Sequence, residues 1–448
     1  MFKRLLFAAM LALFAAAWCS AAPVKGKTEY TTKVSKYRVV AKTNCPNARA
    51  KVGDEVKIGV TVNSELPGAF AAELFVNGVS KGKPQIFDFG KDAEFSVTAN
   101  TPGTVSVICS MLNENKKPVL DRRKRKLIAG LGVRVTPEKI VSGNTKCPDD
   151  FDAFWKQKRA ELDQVPVKAT RSEVKLTPAL EKKYPNVVCY DVKVDCAGGI
   201  PVSGYLCLPR GAQPKSLPAI VIYHGAGVRS ANMQARYGSK ALAFDVNAHG
   251  IENGKPAKFY KELADKGLKN YWHRGFEDHN RIYFIGMYMR VMRALDYVKR
   301  LPEWDGKTLI AYGTSQGGAQ TIAAAALDPQ VTLAVAGVPA LCDLGGQSIN
   351  RRPGWPFYFM PPAKRSDPAV IGEAAYVDGV FMAQRIKCPA YFSTGGIDNT
   401  CHAASVYSAF NSLPGKKKYI SYNPMGHHGT SPSRPGLTEI DRQLGLKK

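Results

Sequence analysis

Two periods of apolar residues divide the chain. From Ala22 to about Pro137, apolar and polar positions alternate. Val56 to Val62, Ala72 to Val76, Ala93 to Thr98 and Thr104 to Cys109 each read as a half-buried strand. Asn77-Gly78 and Pro102-Gly103 supply turns between them. Strands at a spacing of about 8–12 residues, each followed by a turn, predict an all-β immunoglobulin-like sandwich over residues 23–137. Its two cysteines, Cys45 and Cys109, are candidates for a bridge between the sheets. With no catalytic grouping in view, this part reads first as a spacer packed on the rest of the chain. The second reading is a docking or carbohydrate-binding module.

The pattern changes between Val141 and Asp150. Pro148-Asp149-Asp150 is helix-start chemistry, and Phe151, Phe154, Trp155 and Leu162 recur at helical spacing. Two strand-like runs, Val187 to Val194 and Val202 to Leu208, come next. Five continuous apolar runs succeed them: Ala219 to Tyr223, Ala241 to Val246, Thr308 to Tyr312, Leu333 to Gly337 and Ala390 to Ser393. Helical segments fall between most of them, the longest from about Asn280 to Arg300. Apolar strands joined by crossover helices predict a mostly parallel sheet covered on both faces. An antiparallel pair leading into β/α units is the α/β-hydrolase layout, assigned here to residues 138–448.

One run of this sheet ends in Gly313-Thr314-Ser315-Gln316-Gly317-Gly318 and passes directly into an alanine-rich helical stretch. That is the strand–turn–helix setting of a nucleophile elbow. A serine hydroxyl needs a base to take its proton, and the base needs an orienting acid. In the α/β-hydrolase order these follow as acid, then histidine. Asp398 lies just past the run Ala390 to Ser393. The base belongs in the loop after the last strand, Asn423-Pro424-Met425-Gly426-His427-His428; either histidine could serve, and His427 is the expected one. His402 is too close to Asp398 and is expected to begin a helix. The two oxyanion donors are expected to be the backbone N–H groups of Gln316, after the serine, and Ala226, in His224-Gly225-Ala226-Gly227. His224 and His249 are read as structural hydrogen-bonders.

Composition changes the picture in three places. Of the 448 residues, 45% are hydrophobic, enough for more than one core, and no run past the first 22 residues is apolar enough to cross a bilayer. Lys3-Arg4, an apolar Leu5 to Trp18 and Cys19-Ser20-Ala21 read as a signal peptide over residues 1–22, so the mature protein is expected to be secreted or periplasmic. A lipoprotein reading through Cys19 suits the bulky Trp18 poorly. Cysteines are sparse and form no metal-ligand spacing; Cys189, Cys196 and Cys207 read as buried thiols. The net charge of +26 favours polyanions, but no nucleic-acid motif is present. The clusters Arg122 to Lys126 and Lys416 to Lys418 read as solvated loops.

With these pieces placed, most of residues 147–445 resemble the acetyl xylan esterase / cephalosporin-C deacetylase family of carbohydrate esterases. The resemblance rests on Pro148-Asp149-Asp150-Phe151-Asp152-Ala153-Phe154-Trp155, on His224-Gly225, on Arg290 to Val298 with Pro302-Glu303-Trp304-Asp305, and on Gly313 to Gly318. Val338 to Asp343 and the pair Asp398 and Gly426-His427 also match. It implies Ser315 as nucleophile, Asp398 as acid and His427 as base. Three positions depart from the family pattern: Asn247-Ala248-His249-Gly250 stands for Arg-Gly-Gln, Ala226 for tyrosine, and His428 for glutamate.

The expected function is therefore a secreted serine esterase that removes acetyl or another small acyl group from a polysaccharide or oligosaccharide of the xylan type. It would need no cofactor or metal, no nucleic-acid partner and no integral membrane segment. Trp272 and Trp355 are candidates to line a sugar site or to pack. The rivals are a feruloyl or aryl esterase or a peptidase on the same scaffold, and a glycan-binding protein without catalysis.

Overall fold

The computed structural model describes residues 26–122, 124–143, 146–357 and 368–446. The expected signal peptide, residues 1–22, lies outside them. No helix among the described residues is long and apolar enough to cross a membrane.

The alternating N-terminal part forms two sheets on one core. Glu29–Val34, Tyr37–Thr43, Glu55–Asn63 and Asp92–Thr98 make the first. The second runs in the order Arg49–Ala50, Ile128–Val135, Gly103–Leu112, Ala69–Val76, Val79–Ser80, with Gln85–Asp88 also paired to Ala69–Val76. Alternation sends Val56, Ile58, Val60 and Val62 inward against Val105, Val107 and Cys109, as a sandwich requires. Asn77-Gly78 turns its hairpin with both residues at positive φ (52° and 74°), the geometry that suits Asn-Gly. The expected bridge is not formed. Cys45 and Cys109 are both free thiols in this core, and the Cys45 thiol instead donates to Asn44 Oδ1 at 3.3 Å.

The second unit is built on a nine-stranded sheet. Its strands are β1 (Ala169–Val174), β2 (Val187–Val194), β3 (Val202–Pro209), β4 (Leu217–Tyr223), β5 (Leu242–Asn247), β6 (Trp304–Thr314), β7 (Leu333–Gly337), β8 (Ala390–Gly395) and β9 (Lys418–Asn423), in spatial order β1-β2-β3-β5-β4-β6-β7-β8-β9. The pairs from β1 through β3 to β5 are antiparallel, and every pair from β5 to β9 is parallel. Helices α1 (Phe151–Asp163), α2 (Tyr283–Lys299), α3 (Gln316–Leu327), α4 (Ala403–Asn411) and α5 (Arg434–Gln443) cover it. The continuous apolar runs are continuous because both faces are packed: every residue of β5 and β7 is buried. Cys189 and Cys207 are cross-strand partners between β2 and β3, both buried. Lys418 is not a solvated-loop residue; its ammonium donates to the Phe410, Asn411 and Leu413 carbonyls at the end of α4, with Leu413 O at 2.8 Å.

The two units are joined by more than the connecting chain. Arg352 N donates to Asn77 O (2.9 Å), and Gly132 N donates to Pro424 O (2.9 Å). A Cβ on Gly132 would lie 2.2 Å from Gly396 O, so only glycine lets the backbones meet there. Thr104 Oγ1 bonds His402 Nε2 at 3.2 Å, and Arg134 donates to the Tyr407 hydroxyl at 3.2 Å. Tyr422 and Met425, from β9 and the loop after it, pack against the sandwich core.

Candidate active site

The turn between β6 and α3 holds Ser315 at φ 63°, ψ −122°, a strained conformation for a residue with a side chain. Its surroundings tolerate no extra atoms. A Cβ on Gly313 would lie 2.4 Å from Gly317 O, and one on Gly317 would lie 2.0 Å from Tyr223 O. Those contacts explain the two glycines of the motif. Backbone bonds fix the turn from both sides: Ser315 N donates to Gly337 O (2.8 Å), and Ala340 N donates to Ser315 O (3.0 Å).

Asp398 lies in the loop after β8 and is 1% exposed. Its Oδ1 accepts the backbone N–H groups of Thr400 (2.8 Å) and Cys401 (2.9 Å). Its Oδ2 faces His428 Nδ1 at 2.9 Å, and His428 Nε2 faces Ser315 Oγ at 2.9 Å. Since a carboxylate only accepts, Nδ1 carries the proton and Nε2 offers its lone pair to the serine hydroxyl. Ser315, His428 and Asp398 thus form one hydrogen-bonded relay.

His427, the expected base, does not stand in that position. The loop turns after Gly426, with His427 N donating to Thr430 Oγ1 (3.0 Å) and Gly429 N donating to His427 Nδ1 (3.2 Å). These bonds engage His427 within its own turn, and the next residue reaches the serine. Burial, with lesser contributions from the charges of Arg125 and His428, lowers the His427 pKa, against a raising effect of Asp398. His402 stands at the N-cap of α4 and bonds Thr104 of the sandwich, not Ser315 or Asp398.

Of the expected oxyanion residues, Gln316 is the first residue of α3, where the N–H has no intrahelical acceptor. Ala226 is exposed in the loop after β4. Its neighbour Gly225 passes close enough that a Cβ there would lie 3.5 Å from Ser315 Cβ. The same loop is braced from below by two neutral imidazoles. His224 Nδ1 donates to Gly225 O (2.7 Å) while its Nε2 accepts from Ala248 N (3.2 Å). His249 Nε2 donates to Gly227 O (3.3 Å), and its Nδ1 accepts from the Tyr283 hydroxyl (2.8 Å). Burial, aided by the Arg229 charge, lowers His224 to about 4. Burial, then the charges of His224 and Arg290, lowers His249 to about 3. The segment Asn247 to Gly250, which departs from the family pattern, is therefore a support for the loop.

Tyr271 was not visible as a site residue in the sequence. Its hydroxyl donates to Gln316 Oε1 (2.5 Å) and accepts from Gly227 N (3.4 Å), tying the two expected oxyanion segments together. Nothing in Asn270-Tyr271-Trp272-His273 marks it; only the fold brings it there. Trp272 and Trp355 pack against each other, ring centroids 6.2 Å apart, and against the main core. Asp378 accepts the N–H groups of Asp343 (2.9 Å) and Leu344 (2.7 Å), which holds the loop following β7. Among the described residues, Asp278, His279 and Glu373 are close enough to share a cation, but His279 already pairs with Glu373 (2.6 Å) and stacks on Tyr376.

Comparison with known proteins agrees with this architecture. The family described as acetyl xylan esterase (AXE1) matches residues 138–435. The acetyl esterase Axe7A of Xylanibacter ruminicola is 32% identical over 324 residues, 70% of this chain and 70% of that protein. Among solved structures, an acetyl xylan esterase from Paenibacillus sp. R4 superposes with a TM-score of 0.57 at 28% identity, covering 70% of this chain and 98% of its own. Acetyl xylan esterase 1 from Thermoanaerobacterium sp. JW/SL YS485 shares the fold, with a TM-score of 0.55 at 24% identity over 70% of this chain and 98% of its own. An α/β-hydrolase sheet, a serine held in an elbow and a family match over most of the second unit converge: the chain belongs to the acetyl xylan esterase family and is a carboxylic ester hydrolase.

Proposed function

We propose that the protein is an exported serine esterase that removes acetyl groups from acetylated xylan-type polysaccharides or their oligosaccharides. The observation that carries this reading is the relay from Ser315 Oγ through His428 to Asp398, each step 2.9 Å, in a member of this family. Ser315 attacks the ester carbonyl as His428 Nε2 takes its proton. Asp398 keeps the other ring proton on Nδ1 and stabilises the imidazolium. The N–H groups of Gln316 and Ala226 receive the charge that develops on the carbonyl oxygen. His428 then gives its proton to the departing sugar oxygen, which leaves as a hydroxyl, and an acetyl-serine remains. A water molecule, deprotonated by the same imidazole, attacks that ester, releases acetate and restores the serine. The signal-like residues 1–22 are the sequence feature that supports the export part of this reading.

The test is acetate release from acetylated xylo-oligosaccharides by the parent protein and by Ser315→Ala. The variant is expected to retain under about a thousandth of the parent rate. Residual turnover within about tenfold of the parent would remove Ser315 from the reaction.

A further inference from the structure

The relay does not open onto a bare surface. His428 and His427 lie at one side of a cleft of about 640 Å³ whose opposite side belongs to the N-terminal sandwich. Ile108, Arg125 and Lys126 line it from the sandwich; Arg352, Asn399 and His428 line it from the catalytic unit. The sandwich is fixed in that position by the backbone bonds of Asn77 and Gly132 to the catalytic unit. Hence the cluster Arg122 to Lys126, a solvated loop on sequence grounds, delivers two of its cations to the mouth of the active site.

The lining carries Arg125, Lys126 and Arg352 against Asp121 and Glu73, and the buried Asp398 carboxylate also acts on Arg352 from beneath the surface. Asp121 is engaged by Arg125, whose Nε and Nη2 approach its Oδ2 at 2.9 and 2.7 Å. Glu73 is the other carboxylate of the lining, which leaves two further cations, Lys126 and Arg352, for that one acid. Lys126 is exposed. The Arg352 Nε is buried without a hydrogen-bond partner, and its guanidinium lies over the Phe357 ring at 4.3 Å. Arg125 is also near enough for its charge to act on His427. An esterase that needed only to hold an acetyl group would need none of these cations. A carboxylate-bearing sugar chain would meet them.

We propose that this cleft binds the glycan part of the substrate and favours acetylated oligosaccharides that carry uronic acid residues, with Lys126 of the sandwich and Arg352 of the catalytic unit receiving the carboxylate. The proposal deepens the esterase reading and rests on it. It makes the sandwich part of the substrate site, and it assigns to local chemistry some of the excess positive charge.

Calorimetric titration of the full chain tests it, using a deacetylated xylo-oligosaccharide bearing one glucuronic acid and a neutral one of equal length. The parent should bind the acidic chain about fivefold more tightly or better, the size of effect one accessible ion pair supplies, and added salt should erode the preference. Lys126→Glu, at an exposed position, should abolish it, and Arg352→Gln should reduce it. Equal affinity for the two sugars in the parent, or an undiminished preference in both variants, overturns the proposal. Loss confined to Arg352→Gln overturns the part assigned to the sandwich. Acetate release is measured separately: preferential binding without release sinks the esterase reading and leaves the cleft, whereas release without preference does the reverse.

Discussion

Replacing Asp398 by asparagine probes the relay with almost no change of shape. The acid has two distinct jobs, one for each oxygen. Oδ1 accepts two backbone N–H groups at 2.8 and 2.9 Å, and Oδ2 accepts the proton of His428 Nδ1 at 2.9 Å. An asparagine keeps one oxygen. If its amide nitrogen faced Thr400 and Cys401, donors would oppose donors in a buried site, at a cost of about 1–3 kcal/mol for each unsatisfied group. The oxygen will therefore stay with the backbone and the NH2 group will face His428. Nδ1 must then present its lone pair, the ring proton moves to Nε2, and Ser315 Oγ meets a donor where it needs an acceptor. A wrong tautomer of this kind costs about 10⁴-fold in kcat, or about 5.4 kcal/mol at 1.36 kcal/mol per decade. The assay is initial-rate hydrolysis of p-nitrophenyl acetate near neutral pH, with a thermal melt as control. Because the backbone bonds to Oδ1 survive, the melt should move by no more than ~2 kcal/mol in stability. A folded variant that lost less than about fiftyfold would refute the claim that Asp398 acts by setting the tautomer.

Exchanging the two adjacent histidines separately should give opposite results: His428→Ala is expected to lose about 10³-fold or more in kcat, and His427→Ala less than about tenfold, in the same assay. Comparable losses would mean that the loop reorganises during turnover. Tyr271→Phe removes one hydroxyl that serves both Gln316 and Gly227; kcat should fall about tenfold with KM little changed, and a rise in KM at constant kcat would point to substrate contact instead. His402→Asn addresses stability against pH. Burial, then the Arg352 and Arg351 charges, lowers His402 to about 3. Its contribution is thus complete above the ordinary histidine value of ~6.5 and is lost as pH falls from there toward 3. The parent's stability relative to the variant should decline by up to about 1.36 kcal/mol per pH unit over that window, measured by urea unfolding between pH 7 and about 4.5; a constant difference would contradict the burial argument.

Much of the fold was legible because burial on both faces leaves an unmistakable mark. Ala219 to Tyr223 and Leu333 to Gly337 are apolar throughout, and both became parallel strands of the sheet, on either side of β6. Strand β1 left no such mark: Ala169–Val174 is an edge strand with five of its six residues exposed, so its sequence answers to solvent. The elbow was legible from its glycines, whose absent side chains are dictated by contacts with the neighbouring backbone. The choice between His427 and His428 was not, since it depends on how a short loop turns, and one extra residue exchanges which side chain points inward. Tyr271 and the cation-lined cleft are further still from local pattern. They arise from contacts between residues 44 or more positions apart, and no spacing along the chain announces them.

Gly132 meeting Gly396 and Pro424 has a consequence for how this chain can be cut or recombined. The segment boundary near residue 138 suggests a cassette that could be removed or attached to another enzyme. Mechanically it is nothing of the kind. The strand Ile128–Val135 is stitched to the very loops that carry Asp398 and His428, and Tyr422 and Met425 lie against the sandwich core. Excision would strand an apolar surface beside the catalytic loops and remove the buttress behind them. Any change in the sandwich that shifts this seam would be felt at the serine, so the two parts must vary together.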